Sequence, residues 1–277
     1  MSSFPDPAAV ARMLDIVFDP EIVRVRQLAD FDIPQERAAS LLRFHAFITN
    51  PQPSYITSWR ADPQLERRWY HQHANGILGD VRGALAAVHY HFARLTEIES
   101  GVNAILAASR IHERVENGSM GLGGTRKMDI EYQAFVLAYR RCLDYLAGAL
   151  TCYFKLEANS FRKLPRSIAN TKMPAVAAAL VAAHARHVEH LAFVLAEGRK
   201  SVRHRIAHYD FVSAGCINLT AKGFFLAGGG EDLARDGRPR GTTLATVLNE
   251  RIDRLHACVD DMIDTFIHAA RARESGV

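Results

Sequence analysis

The segment DIEYQAFVLAYRRCLDYLAGALTCYFKL, Asp129–Leu156, decides the fold. Tyr132, Phe135, Val136, Tyr139, Leu143, Leu146, Leu150 and Phe154 recur at intervals of three and four, so a helical period gathers them on one stripe. C-terminal to it, Phe161–Lys172 reads as a basic connector. Pro174–Glu197 reads as one helix, opened by proline and ended by Gly198. Phe211–Leu219 and Gly223–Ala227 are rich in strand-forming residues and predict a short hairpin. After a polar loop, Gly228–Arg240, the stretch Thr242–Arg271 carries Leu244, Val247, Leu248, Ile252, Leu255, Val259, Met262 and Phe266 at helical spacing. On the N-terminal side, Asn117–Lys127 (NGSMGLGGTRK) reads as a flexible loop and Val102–Glu116 as a helix. A long helical pattern runs from Asp62, capped there with Pro63 at its first position, to Glu99, with a kink expected at Gly76 and Gly79. Residues 1–60 read as a helical N-terminal extension, with helical spacing in Pro7–Phe18 and Pro34–Ile48 and a proline-rich break at Asn50–Pro53. The expectation is an all-α helical bundle over residues 61–277, with a small β-hairpin inserted before the last helix.

The 277-residue chain has a formal net charge of +4 and 48% apolar residues, enough for a sizeable core and a balance compatible with a polyanionic partner. Cys142, Cys152, Cys216 and Cys258 never fall at CxxC spacing, which argues against a zinc ribbon or a dithiol redox site and for reduced thiols in a cytoplasmic protein. The opening residues lack the basic start and apolar stretch of a signal peptide. The longest apolar run, Ala175–Ala183, is far short of the roughly 20 residues of a membrane span, so no membrane association is expected.

The chemically suggestive stretch is SVRHRIAHYD, Ser201–Asp210. Arg203 and His208 are separated by four residues, a spacing that also occurs by chance elsewhere in the chain. Its context sets it apart: polar His204 follows the arginine, Ile206 and Ala207 precede the histidine, and a long helix stands before it. Metal-free RNA cleavage requires a base for the 2′-hydroxyl proton, an acid for the departing 5′-oxygen and a cation for the phosphorane. Histidine titrates near neutrality and does the first two; arginine grips phosphate oxygens through its planar fork. Five residues along a helix rotate the side chain by about 140°, so Arg203 and His208 leave the helix on different faces. Two copies related by a two-fold axis could complete one site.

In these residues the segment resembles the HEPN superfamily, in which an arginine, a polar residue, a small-apolar pair and a histidine stand near the start of a late bundle helix. The resemblance extends over about 129–270. It implies an all-α fold, a homodimer with its site at the two-fold axis, and metal-independent endoribonuclease activity with RNA as substrate and no cofactor. It also implies a toxin or defence role restrained by an antitoxin-like protein. Arg203 and His208 would be catalytic, His204 would stand where the family usually has asparagine or aspartate, and Asp144 would be the acidic residue of the long helix facing the motif. The residues themselves also fit a non-catalytic helical binding or scaffold protein, and Asp144 fits an i,i+4 ion pair with Arg140. Tyr209 and Asp210 could orient His208.

Other clusters have more ordinary readings. His184, His187 and His190 lie three apart on one helix, but a metal site needs a further ligand from another element and the chain offers none, so no metal is expected. His89 and His91 lie two apart, on different faces. Arg60, Arg67, Arg68, Trp69 and Tyr70 mix base-stacking and cationic side chains, a pattern shared by a helix with a buried Trp69 and solvated arginines. GLGGTRK lacks the Gly-Lys-Ser/Thr end of a phosphate-binding loop.

Overall fold

A computed structural model describes residues 20–49, 66–115, 120–123, 125–197, 201–208, 211–220, 223–227, 230 and 243–275. The expected helix Pro7–Phe18, the break at Asn50–Pro53, the cap at Asp62–Pro63 and, Gly230 apart, the loop Gly228–Arg240 lie outside these residues. Helix α1, Pro20–Ala29, belongs to one compact unit, Met1–Asp32; the second unit, Ile33–Val277, is the helical bundle. The sequence pattern did not single out α1.

Helix α2, Ala39–Thr49, falls in the expected N-terminal extension, yet it is part of the bundle. Its Phe44 is fully buried and packs on Phe266 at 6.3 Å between ring centroids. Helix α3, Glu66–Asn75, leads through a π-helical segment, Gly76–Val81, into α4, Arg82–Ser109. The π segment sits where the two glycines predicted a kink. It is also where the next long helix comes close, because a methyl group on Gly76 would lie 2.6 Å from the Ala149 Cβ. The separate helix expected at Val102–Glu116 is instead the continuation of α4 through Gly101. A mid-helix glycine costs only about 1 kcal/mol, and Val102 still packs against the core. The helix stops at Arg110, which adopts a left-handed conformation with φ 51°.

Helix α5, Arg126–Cys152, is the centre of the molecule, with Tyr132, Phe135, Val136, Tyr139, Leu143, Leu146 and Leu150 all fully buried. It runs antiparallel to α4, since Cys142 meets Val81 while Glu131 meets His91. The connector holds a single 3₁₀ turn, Phe161–Lys163, and the short helix α6, Leu164–Ile168. The helix expected over Pro174–Glu197 is two: α7, Pro174–His187, and α8, Ala192–Leu195. Leu191, Val194 and Leu195 remain buried across the break, so the apolar spacing survives and hides it from the sequence. Helix α9, Val202–His208, carries the motif, and α10, Leu244–Glu274, closes the bundle. Its first turn is held by Glu99 of α4, whose buried carboxylate accepts the N–H groups of Leu244 and Ala245, both at 2.9 Å.

The predicted hairpin forms as β2, Cys216–Thr220, and β3, Gly223–Ala227, paired antiparallel from Cys216↔Ala227 to Thr220↔Gly223. Two details differ from expectation. Residues 211–215 precede the strand: Asp129 accepts the Ser213 hydroxyl at 2.7 Å and the Ala214 N–H at 2.8 Å, and Gly215 turns the chain at φ 133°. The loop Asn117–Lys127 contains a third strand, β1, Met120–Leu122, on the outer side of β2 with Gly121↔Asn218 in register. Three residues are too short for an alternating pattern, and their partner is distant in sequence.

Candidate functional site

Ser201 opens α9 as an N-cap. Its buried Oγ accepts the His204 N–H at 3.3 Å, and its carbonyl accepts the Arg205 N–H at 3.1 Å. Val202 is buried and Ile206 packs on the core, which turns Arg203, His204 and Arg205 to half-buried positions and leaves His208 exposed. The His204 and His208 rings, one turn apart, lie 4.7 Å between centroids.

Arg203 stands between two depressions. The larger, about 820 Å³, lies between α4 and α5; its lining includes the small residues Gly83, Ala87 and Ala134 and the cations Arg140, Arg141 and Arg203. The smaller, about 340 Å³, is bounded by Arg140, Arg162, Lys163, Glu197, Arg203 and His204. Arg203 has no ion-pair or hydrogen-bond partner among the described residues. His208 lines neither depression. The helix thus directs its cation and its terminal histidine apart, with His204 adjoining both.

Asp144 lines the larger depression. Its Oδ2 accepts Arg140 Nε–H at 2.8 Å, and its Oδ1 accepts the Phe161 N–H at 2.9 Å. Arg140 also donates to the Val194 carbonyl at 3.3 Å and to Ser160 Oγ at 3.1 Å. The pair therefore ties the 161–163 turn and α8 to α5, and both are walls of the smaller depression. Arg162 and Lys163 escaped the sequence reading because their connector showed only as basic; the signal was the triplet Phe161-Arg162-Lys163 beside a buried Phe161. Tyr209 and Asp210 lie outside the described residues.

The remaining clusters make contacts within the bundle. His184 Nε2 meets the Phe161 carbonyl at 3.1 Å, and burial lowers its pKa. His187 meets Asp261 at 2.7 Å beside the two-pronged Arg186–Asp261 pair. His89 pairs with His256, and His91 with Glu131 at 2.7 Å. Among the described residues no three of His, Cys, Asp and Glu come together to hold a metal. Trp69 packs on the core, Tyr70 is buried, and Arg68 pairs with Glu157 at 3.1 Å; Arg60 and the Arg67 side chain lie outside the described residues. Cys142 and Cys258 are fully buried, and burial pushes the Cys152 thiol up to about 11. No helix among the described residues is long and apolar enough to cross a membrane. Comparisons with family models, with curated proteins and with solved structures gave no significant match.

Proposed function

We propose that the chain is a metal-independent endoribonuclease of HEPN type that works as a homodimer. The observation that carries the reading is the placement of Arg203 and His204 together in a cation-lined depression, with His208 exposed one turn further along the same helix. The depression gives a phosphodiester its counter-charge, and the histidines give the transferable protons. In this mechanism one imidazole takes the 2′-hydroxyl proton, the freed oxygen attacks phosphorus, Arg203 offsets the negative charge of the phosphorane, and the P–O5′ bond breaks as a second histidine, in its imidazolium form, protonates the departing 5′-oxygen. Because Arg203 and His208 diverge on one chain, a two-fold partner would supply the missing group. Ile130 and Leu137, seven residues apart on α5, are both exposed, and such a partner would cover them. The reading goes with a cytoplasmic setting, a toxin or defence role and an antitoxin-like protein restraining the motif helix.

A second reading, a non-catalytic RNA-binding or scaffold protein, is favoured by the same divergence, since no single chain sets His208 beside Arg203. One assay separates the two: RNA cleavage in EDTA by wild type and His208→Ala. The nuclease reading expects cleavage that the substitution lowers roughly 100-fold or more. Binding without cleavage selects the scaffold.

A further inference from the structure

The smaller depression holds more charge than a proton-transfer site needs. Its lining gathers Arg140, Arg162, Lys163 and Arg203, and among the described residues Glu197 is the one carboxylate there. These cations are not equivalent. Arg140 is fixed by Asp144, Ser160 and the Val194 carbonyl, and its side chain is only 13% exposed. Arg162 pairs with Glu197, whose side chain is 75% exposed. Lys163 is exposed and Arg203 half-buried, and neither has an ion-pair partner among the described residues. Ser160 is half-buried; its oxygen accepts Arg140 and it keeps a hydroxyl proton to donate.

We infer that this depression is a phosphate subsite for the RNA strand, in which the Glu197 carboxylate holds Arg162 until a phosphate replaces it. The inference rests on the RNA reading above and deepens it by naming where the backbone next to the cleaved bond is held. An exposed arginine–glutamate pair is weak and easily exchanged. A phosphodiester offers the same planar fork two oxygens and meets Lys163, Arg203 and the Ser160 hydroxyl as well. Arg140 supplies fixed charge from behind. Glu197 is therefore an internal competitor, so removing its charge and removing that of Lys163 act in opposite directions.

The test is binding of a short 2′-O-methyl RNA, which lacks the attacking hydroxyl, followed by fluorescence anisotropy across a salt series. Lys163→Gln is expected to weaken binding several-fold and to lower the slope of log affinity against log salt by about 0.7, the value for one single-strand phosphate contact. Glu197→Gln is expected to tighten binding several-fold. Glu97→Gln is the matched control: it frees Arg94 from the same kind of exposed pair on α4, away from the depression, and should leave binding as in wild type. Thermal melts of the three variants confirm the fold. Binding unchanged by Lys163→Gln, equal effects of Glu197→Gln and Glu97→Gln, or no binding by wild type would each overturn the inference. Adenosine diphosphate binding with this variant pattern but without oligonucleotide binding would overturn the RNA assignment. Wild type that binds in this pattern but cuts no unmodified RNA sinks the nuclease reading and leaves the subsite standing. Wild type that cuts without the pattern does the reverse.

Discussion

The Nε2 atoms of His89 on α4 and His256 on α10 face each other at 2.8 Å, so at most one carries a proton between them and the two rings cannot both be imidazolium. His256 is buried with its Nδ1 unpaired, and burial, with His89 and Arg37 nearby, lowers its pKa to about 4. Burial and then Arg37 also lower that of His89, and Glu36 and Asp253 only partly offset this. Burial lowers fully buried His73 to about 4 as well. The folded pKa lies below the unfolded value of about 6.5 in each case. The unfolded chain therefore binds more protons in that window, and stability is full above about 6.5 and lost as pH falls toward 4. We expect melting temperature to drop steeply between pH 6.5 and 4. A His89→Gln, His256→Gln double variant, which keeps polar side chains that do not titrate, should fall less steeply. Equal pH slopes would show that the pair does not control acid stability.

Asp144 separates structure from chemistry. Its two oxygens satisfy Arg140 and the Phe161 N–H, so Asp144→Ala leaves the Phe161 N–H without its acceptor and the half-buried Arg140 without its carboxylate, with only the neutral Val194 carbonyl and Ser160 Oγ to hold it among the described residues. The expected loss is roughly 2–4 kcal/mol, measured by urea unfolding, because each orphaned group costs about 1–3 kcal/mol. A variant that melts as wild type but has lost cleavage would make Asp144 a catalytic residue instead.

Gly76→Ala tests the helix approach at the π segment. The added methyl would lie 2.6 Å from the Ala149 Cβ, and both backbones are held in the core. Alanine normally favours a helix, yet here overpacking wins, and we expect a loss of about 1–3 kcal/mol. Gly79→Ala, with nothing within 4 Å of the new methyl, should be neutral or stabilising. Equal effects would mean that the close approach does not limit packing.

What the sequence made legible was local. The α5 stripe, the α10 stripe and the hairpin are patterns of period or turn chemistry within a single stretch, and each reappears in the structure; the glycine pair expected to kink the chain falls in the π-helical segment. What stayed hidden depends on distant residues. Strand β1 exists because Gly121 meets Asn218, and the end of α7 is masked because Leu191 and Val194 continue an apolar spacing. The motif residues Arg203, His204 and His208 were visible as chemistry. The cations that surround Arg203 were not, because Arg140 and the 161–163 turn are brought together by tertiary contacts, the Asp144 bridge and the Arg140–Ser160 hydrogen bond.

The motif helix supplies the last prediction. His208 is exposed at the end of α9, so His208→Ala should change stability by less than about 0.5 kcal/mol. If it transfers a proton, the same substitution should lower cleavage roughly 100-fold or more. Arg203→Ala should match that loss, because Arg203 supplies charge that nothing else on α9 places between the two depressions. His204→Ala removes the ring beside His208 and one wall of the smaller depression but keeps the backbone N–H that Ser201 caps. It should be impaired rather than inactive. Thermal melts and cleavage on the same samples separate the two quantities. If all three variants melt far below wild type, the segment holds the fold and its loss of activity says nothing about chemistry. If all three keep both fold and cleavage, α9 is not the catalytic helix.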